Sequence, residues 1–450
     1  APERRNIRVY RPDGTLLRTI GEPGGYQVGP WNPNRLHSVT GLAVDGEGKL
    51  WAADSTYWPK RVSVWTREGK FLREYLGPTE YGGGGMLDPW DRTRLLYGPL
   101  EFNLDWKAGT STLKSLTWPP EDGWAAGDHP IHLNDRVYFV SRIQAAGNGM
   151  PVAIVYLYEN QRLRPAAAMG AAEQWRPLHR PEIRNRLGKR TLPSLQFLWT
   201  DANEDGVAQF EEIVFEDRQI GPFTRFRDDL SVQAGPWRFV VTKFLPGGVP
   251  VYEKQRTALP PPVAGNSGAY YQLGNGNFYS MATGGTVDTW HAPDGTLLWT
   301  YPSLGSGVGP NRSAPPYHPA QLLCEFGIIG HDTAPGGDLG EFFVIHSNLG
   351  QWYVWSADGM LAGRIFRDNR DPKRVFWQMP EHGRGMVLDD LSQLEETFNG
   401  CFVRMRDDNR CYVVAGKAEA SIVEVLGLDA FRRHRGVAEV KPDDLRQAEE

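Results

Sequence analysis

The sequence predicts an all-β fold assembled from repeated small sheets, and two observations support this prediction. First, one hairpin pattern occurs four times, at residues 9–20, 64–75, 289–301 and 354–366: an apolar run, Asp-Gly or Glu-Gly, and a second apolar run. Glycine tolerates the positive φ that a tight hairpin turn requires. Second, the 450 residues include 51 Gly, 34 Pro and 12% aromatic residues, and sustained helical periodicity is scarce. This composition is typical of many short strands separated by turns.

The copy at 64–75 has a second hairpin upstream of it, at residues 40–54. Residues 38–78 therefore hold four short strands in about 40 residues, which is the size of a β-propeller blade. The second strand reads Leu50-Trp-Ala-Ala-Asp54-Ser, and the third reads Arg61-Val-Ser-Val-Trp65. This blade resembles the NHL-type β-propeller, and the resemblance extends to 269–302 and 322–367. Insertions interrupt the repeat between residues 90 and 260.

The resemblance implies a β-propeller of six blades, or of seven if residues 95–166 form two. A propeller removes its exposed sheet edges by pairing strands from both chain ends. We therefore expect residues 6–20 and 397–428 to share the closing blade. Residues 1–430 would be one propeller domain, and residues 431–450 a charged tail or linker. The remaining blades are predicted at 38–78, 95–166, 194–256, 268–302 and 322–367.

The sharpest local motif is a twelve-residue segment inside the predicted blade 194–256. Residues 201–212 match D-x-[DN]-x-[DN]-G-x₅-E, the calcium loop of EF-hands. The flanking runs predict strands and not helices, so the loop resembles dockerin-like and propeller-embedded calcium sites. We expect a structural Ca²⁺ there; the alternative is a solvated polar turn. The expected ligands are Asp201, Asn203, Asp205, the Val207 carbonyl and Glu212.

Candidates for a further site come from loops that share one propeller face, namely those between second and third strands and those entering first strands. His37, His318, His346 and Asp54 fall in these loops. Six-bladed relatives of this architecture include calcium-dependent lactonases and a zinc-and-calcium amidating lyase, so the resemblance implies metal near the channel. Three histidines suit Zn²⁺ and leave one position open; alternatively, they are ordinary loop histidines.

Four aromatic residues in loops, Tyr57, Trp58, Trp31 and Trp90, suit the stacking of sugars. Tyr57 and Trp58, on the same face as the histidines, are the candidates for ligand binding, and packing against the rim is the alternative. The opposite mouth is expected to carry short Asp-Gly turns with little chemistry. A second candidate pair is His331 and Asp332. Because neighbouring residues of a strand point to opposite sides, we expect a structural role for that pair.

Composition excludes several classes of protein. The formal net charge is −5 and no Lys/Arg-rich run occurs, so no nucleic-acid partner is expected. No apolar run approaches the roughly 18 residues of a membrane span. The Ala-Pro-Glu start is typical of a mature secreted protein, and we expect a secreted, periplasmic or extracellular monomer or part of a longer chain.

The chain contains 3 Cys, namely Cys324, Cys401 and Cys411. In the hairpin at 401–411, Cys411 is predicted to face Met405. A disulfide between Cys401 and Cys411 is therefore not expected.

The sequence favours a secreted, calcium-stabilised binding or scaffold module of an extracellular, carbohydrate-related multidomain protein. Its ligand on the propeller face would be a protein or a carbohydrate. The alternative is an extracellular metal-dependent hydrolase or lyase for a lactone or polysaccharide, with its site at the channel mouth. Fold alone does not decide between the two.

Overall fold

The structure is a computed structural model. It describes residues 5–55, 59–77, 84–118, 127–141, 151–221, 223–264, 270–281, 287–303, 322, 325–347, 350–367, 383–389, 400–416, 420–437, 439 and 441.

The described N-terminal part forms a hairpin and a four-stranded antiparallel sheet. Strands β1 and β2 make the N-terminal hairpin, and β4 to β7 make sheet 1, in chain order. The strands are β1 (Ile7–Tyr10), β2 (Leu16–Ile20), β3 (Gly29–Pro30), β4 (Val39–Val44), β5 (Leu50–Asp54), β6 (Arg61–Trp65) and β7 (Phe71–Leu76).

The next two sheets are larger. Sheet 2 consists of β8 to β11, with β3 added at its outer edge, and sheet 3 consists of β12 to β17. The strands are β8 (Met86–Asp88), β9 (Asp91–Tyr97), β10 (Leu100–Asp105), β11 (Thr110–Leu116), β12 (Gly127–Leu133), β13 (Arg136–Ser141), β14 (Val152–Glu159), β15 (Arg162–Ala171), β16 (Leu195–Thr200) and β17 (Ile213–Asp217). Short helical turns occupy Ala172–Gln174, Arg176–His179, Pro181–Arg184 (α1), Leu192–Ser194 and Phe210–Glu212.

Four antiparallel sheets follow. Sheet 4 is β18 to β20, sheet 5 is β21 to β24, sheet 6 is β25 to β28 and sheet 7 is β29 to β31. Residues 223–227 hydrogen-bond to the β18 region and act as the first strand of sheet 4. The strands are β18 (Val232–Ala234), β19 (Trp237–Phe244), β20 (Pro250–Arg256), β21 (Tyr270–Gln272), β22 (Phe278–Ser280), β23 (Val287–His291), β24 (Leu297–Pro302), β25 (Glu325–Thr333), β26 (Glu341–Ser347), β27 (Trp352–Ser356), β28 (Leu361–Ile365), β29 (Cys401–Arg404), β30 (Cys411–Ala415) and β31 (Ser421–Val425).

The four repeated hairpins of the sequence are confirmed. Their turn glycines, Gly14, Gly69, Gly295 and Gly359, have φ between +85° and +96°. Each donates its N–H to the carbonyl three residues earlier, at 2.9–3.0 Å. Each hairpin also has a register shift at the strand end before its turn. One local sequence pattern therefore produces one local geometry in four places, because the glycine supplies the backbone conformation that the turn requires.

Sheets that follow one another along the chain pack together through apolar side chains. One cluster joins sheets 2 and 3, and others join sheets 3 and 4, 5 and 6, and 6 and 7. Between sheets 4 and 5, Arg227 donates to the Gln272 carbonyl at 2.9 Å. Sheet 7 also packs on sheet 2, where Cys401 and Val414 share a cluster with Met86. The contacts thus run from sheet 2 through sheet 7 and return to sheet 2.

Sheet 1 and the N-terminal hairpin lie beside this succession of sheets. Ile7 and Ile20 of the hairpin pack with Trp65 of sheet 1. The predicted closing blade, shared by residues 6–20 and 397–428, is not confirmed, because the two segments form separate sheets in the described part of the chain. The apolar side chains of the hairpin are buried against sheet 1 instead.

Residues 95–166 divide between sheets 2 and 3, as in the alternative in which this range forms two blades. The predicted boundary at residue 194 is wrong, because the segment 195–217, which was assigned to the blade 194–256, belongs to sheet 3. The reason is the long strand β15, whose residues Ala167–Ala171 pair with residues 196–200. The calcium-type loop therefore joins the last two strands of sheet 3. Pairing between strands separated by a 23-residue connection of helical turns is not encoded in local sequence pattern.

The predicted tail begins later than expected. Phe431 packs on sheet 6, and its carbonyl accepts the N–H of Asp338 at 2.8 Å. The Arg433 guanidinium donates to Asp358 at 2.5 and 3.0 Å, and this holds the pKa of Asp358 down to about 2. Residues 431–433 are thus docked on sheet 6.

Cys401 and Cys411 are buried, and no disulfide joins them, as expected. Cys411 pairs with Arg404 and not with Met405, one position from the prediction. Cys324 lies outside the described residues. In the part of the chain that the structure describes, no helix has the length and apolarity of a membrane span.

Candidate functional site

A network of charged and aromatic side chains lies where the first strands of four sheets end. Strands β8, β12, β25 and β29 each carry a charged or imidazole side chain at their last or second-to-last position. Side-chain contacts bring these strand ends together. We call this group the inner-strand mouth; it consists of Asp88, Trp90, His132, Asp332, Arg404 and Arg406.

Asp332 links sheets 6 and 7. Its Oδ1 accepts hydrogen bonds from Arg404 Nε at 3.0 Å and Nη2 at 2.8 Å. Its Oδ2 lies 3.0 Å from Arg406 Nη1. The Asp332 side chain is only 8% exposed, so one nearly buried carboxylate holds two guanidinium groups in place. Such pairs, once desolvated, are more costly to break than surface pairs.

Trp90 connects the charged side chains of sheet 7 with those of sheets 2 and 3. The Arg406 guanidinium lies over its ring, 5.3 Å from the centroid, and the His132 ring stacks on it at 4.6 Å and 15°. The peptide N–H of Arg406 also donates to the Pro89 carbonyl at 2.8 Å. Trp90 is nevertheless 40% exposed, so a ligand can reach it.

Asp88 anchors the other end of the network. Its Oδ2 lies 3.0 Å from His132 Nε2 and accepts from Arg94 Nη1 at 2.8 Å. Its Oδ1 accepts the peptide N–H of Trp90 at 2.9 Å, and the side chain is fully buried. Arg94 in turn donates to Glu101 at 3.1 Å. The position of Trp90 is therefore defined by buried charged groups.

Similar polar side chains continue along sheets 4 and 5. The Tyr271 hydroxyl lies 3.1 Å from His331 Nδ1. Arg225 contacts the His129 ring of β12 at 3.2 Å. Burial, and then the positive charge of Arg225, lower the pKa of His331. His331 and Asp332 both contact polar partners, His331 on sheet 5 and Asp332 on sheet 7, so each of these neighbouring residues contributes to the network.

Sequence reasoning named Asp332 and Trp90 singly but did not bring them into one site, because it assigned little chemistry to the turns that follow first strands. A usable signal was present: the last or second-to-last position of each first strand in sheets 2 to 7 is polar. These residues are Asp88, His132, Arg227, Gln272, Asp332 and Arg404.

The predicted calcium loop is ordered by hydrogen bonds from its own backbone. Gly206 N–H donates to Asp201 Oδ1 at 3.0 Å, and the N–H groups of Ala202 and Asn203 donate to Glu212 Oε1 at 2.9 and 3.2 Å. Gly206 has φ +71°, and a Cβ there would meet Arg164 Cγ at 2.9 Å, so this position requires glycine.

The oxygen atoms of the loop suit Ca²⁺ in kind. However, Arg164 Nη1 donates to the fully buried Asp201 at 2.5 Å and balances its charge. Among the described residues, no three His, Cys, Asp or Glu side chains are grouped closely enough to hold a metal ion. In this arrangement a guanidinium group, and not a converging set of ligands, neutralises Asp201.

Of the other predicted site residues, His37 and Asp54 are brought together, and His346 lies apart from them in sheet 6. His37 stacks on Tyr26 at 5.2 Å and contacts the Arg5 guanidinium at 2.9 Å. Asp54 accepts the His37 N–H at 2.9 Å and the Tyr26 hydroxyl at 2.8 Å, so it organises the turn before sheet 1. His346 is buried in sheet 6 with Nδ1 3.0 Å from the Gly327 carbonyl. Tyr57, Trp58 and His318 lie outside the described residues.

Comparison with known proteins leaves the family open. No protein-family model and no curated protein sequence matches the chain. Solved structures that resemble it are β-propeller proteins. BamB from Moraxella catarrhalis is 10% identical with a TM-score of 0.28, over 94% of this chain and 95% of BamB. Virginiamycin B lyase from Staphylococcus aureus is 10% identical with a TM-score of 0.28, over 89% of this chain and 96% of the lyase. The C-terminal WD40 domain of Sif2 is 10% identical with a TM-score of 0.26, over 94% and 91%.

TM-scores below 0.5 do not define a shared arrangement of sheets.

Proposed function

We propose that this chain is a β-propeller binding module whose six blades are sheets 2 to 7, with sheet 7 closing on sheet 2. The support for this ring is the succession of contacts that returns from Cys401 and Val414 to Met86. The first strands of sheets 2, 3, 6 and 7 would then meet around one channel. Sheet 1 and the N-terminal hairpin would form an addition outside the ring, so the six blades proposed here differ from those expected from the sequence repeat.

The ligand site is the inner-strand mouth, and the single observation that carries this assignment is Trp90. It is 40% exposed, yet Arg406 and His132 contact its ring and buried carboxylates hold both of these residues. Tryptophan and arginine dominate the energetics of protein interfaces, particularly where neighbouring groups fix their orientation. A pre-organised side chain also loses less conformational entropy on binding.

We propose a protein or peptide ligand at this mouth, and not a carbohydrate. Stacking of a sugar needs a free aromatic face, and contacts with the imidazole and the guanidinium already cover much of the Trp90 ring. The exposed part of Trp90, together with Arg406, offers an apolar surface beside a hydrogen-bond donor. This combination suits a peptide backbone and its side chains.

The expected calcium site is kept as part of the proposal, with a structural role. Asp201, Asn203, Asp205, the Val207 carbonyl and Glu212 would hold the ion, and Ca²⁺ would replace the charge that Arg164 supplies to Asp201. A secreted or periplasmic location also stays a proposal, as does membership of a longer chain. The hydrolase or lyase alternative requires His318 beside His37 and His346. The contacts of His37 lie with sheet 1, whereas those of His346 lie within sheet 6.

The proposed function can be tested with peptides selected from a random library on the full chain. Binding of a selected peptide is then measured by calorimetry for the native protein, Trp90→Ala and Arg406→Gln. We expect each variant to weaken binding at least about tenfold, as is typical of interface hot spots. Trp299→Ala is a matched control, because Trp299 is 52% exposed but lies on β24, away from the mouth.

Peptides that bind Trp90→Ala as tightly as the native protein would place the ligand site elsewhere. A glycan array provides the second comparison. Glycan binding that depends on Trp90, without any peptide binding, would overturn the choice of a protein ligand.

A further inference from the structure

A second, separate pocket lies between sheets 4 and 5. Its lining includes three arginines and several polar side chains, and no carboxylate is among its described lining residues. We call it the arginine pocket; its lining residues include Arg225, Arg227, Arg238, Ser231 and Tyr271.

Two of the three arginines, Arg227 and Arg238, have few acceptors among the described residues. Arg227 has one hydrogen-bond acceptor, the Gln272 carbonyl at 2.9 Å, and no carboxylate among the described residues pairs with it. Arg238 donates to Ser231 Oγ at 3.2 Å, and its ion pair with Asp229 spans 3.8 Å to a side chain that is 63% exposed. An exposed pair of this length contributes little. Two guanidinium groups therefore keep donors available for a ligand.

The walls of the pocket are largely withdrawn from water. Ser231 is 1% exposed, Tyr271 5% and Arg225 8%. Charges interact more strongly where the surroundings are less polar than water, so an anion would be held more firmly here than at an exposed arginine. Burial lowers the pKa of the nearby His331, and the charges of Arg225 and Arg227 lower it further, whereas those of Asp228 and Asp332 raise it.

Size and geometry narrow the class of anion. The pocket has room for roughly one water molecule, so one carboxylate oxygen can enter it while the rest of the acid stays outside, and a tetrahedral phosphate fits less well. Arginine presents its donors as a planar fork, so one oxygen inside the pocket and the second at its rim can accept from the same guanidinium group. We propose that the arginine pocket binds a carboxylate group, supplied either by a small organic acid or by a peptide C-terminus.

The test measures binding of sodium acetate to the full chain by calorimetry at constant sodium concentration, with chloride and phosphate as comparison anions. We expect acetate to bind more tightly than either. Arg227→Gln and Arg238→Gln should each weaken acetate binding about tenfold, the usual consequence of losing a hydrogen bond to a charged group. Arg8→Gln is the matched control, because it removes the same charge at an exposed position of β1.

Two peptides that differ only in a free or amidated C-terminus distinguish the sources of the carboxylate. If the peptide with the free C-terminus binds more tightly than both its amidated form and acetate, the carboxylate comes from a peptide. If acetate binds more tightly than the peptide, the carboxylate comes from a small organic acid. The proposal is overturned if both arginine variants bind acetate like the native protein, if chloride binds equally well, or if phosphate binds more tightly. Trp90→Ala should leave acetate binding unchanged, so this proposal and the peptide site can fail independently.

Discussion

Carboxylates and arginine come together in two regions of this molecule, and the two regions are assembled in opposite ways. In the loop 201–212, twelve consecutive residues carry all the proposed ligands, and hydrogen bonds within the loop shape it. At the inner-strand mouth, Asp88, His132, Asp332 and Arg404 come from four different sheets. The first arrangement needs only a short piece of chain, whereas the second exists only if the sheets pack correctly. A site of the first kind can be recognised in a sequence, and a site of the second kind depends on the tertiary fold.

The largest effect is expected in the loop, from Asp201→Ala. This change leaves Arg164 without its buried partner and Gly206 N–H without its acceptor. Breaking a buried ion pair by removing one partner is strongly destabilising, and because Arg164 is 20% exposed we expect a loss of about 3 kcal/mol. Urea unfolding measures the change.

Asp205→Ala is the matched control for this prediction. Asp205 is an exposed carboxylate of the same loop, and it accepts hydrogen bonds from neighbouring loop residues. We expect a loss below about 1 kcal/mol for this exposed group. Equal losses for the two variants would show that burial of Asp201 is not what stabilises the loop.

The corresponding change at the mouth is Asp332→Asn. It removes the charge that holds Arg404 and Arg406, and we expect a loss of about 2 kcal/mol in the free energy of unfolding. The more informative consequence is functional. Because Arg406 positions Trp90, peptide binding should weaken in Asp332→Asn although no ligand contact is removed. If Asp332→Asn is destabilised but binds the peptide with unchanged affinity, the charged network does not contribute to ligand binding.

Calcium binding sharpens the comparison further. If Ca²⁺ and Arg164 compete for Asp201, Arg164→Gln should raise calcium affinity roughly tenfold, which corresponds to about 1.4 kcal/mol. A calcium titration followed by melting temperature, with and without chelator, measures this difference. Asp201→Ala should abolish the response. If neither calcium nor chelator changes the melting temperature of the native protein or of Arg164→Gln, the loop is held by its internal hydrogen bonds alone.

A pH-dependent effect is expected for a carboxyl group that belongs to neither region. Glu325 is buried, and burial raises its pKa to about 7, above the ordinary 4.5, although Ser303 Oγ donates to it. Between these values the native state binds a proton that the unfolded state has released, so stability should fall as pH rises from about 4.5 to 7. The slope is at most about 1.4 kcal/mol per pH unit.

Glu325→Gln should flatten this pH dependence, because glutamine cannot ionise. Thermal melting across pH 5–8 compares the two proteins. If Glu325→Gln shows the same pH dependence of stability as the native protein, the group that titrates is not Glu325.

Local features of the fold were predictable, and pairings between distant strands were not. The Asp-Gly hairpins, sheet 1 and the absence of a disulfide between Cys401 and Cys411 all follow from short-range pattern. The division of residues 95–256 did not, because β15 pairs with a strand beyond a long connection. The mouth was missed for the same reason. Asp88 and His132 are 44 residues apart, and their hydrogen bond exists only because two sheets pack side by side.

By itself, the sequence determined the all-β class, the conformation of the repeated turns and the residues of one calcium-type loop. Each of these depends on backbone preferences of a few neighbouring residues, and glycine after aspartate constrains the chain in the same way wherever it occurs. Tertiary structure decided which strands pair, where the N-terminal hairpin is buried and which charged side chains meet. Those outcomes depend on burial of apolar surface over the whole chain. A single short segment cannot encode them, so Trp90 acquires its charged neighbours only in the folded protein.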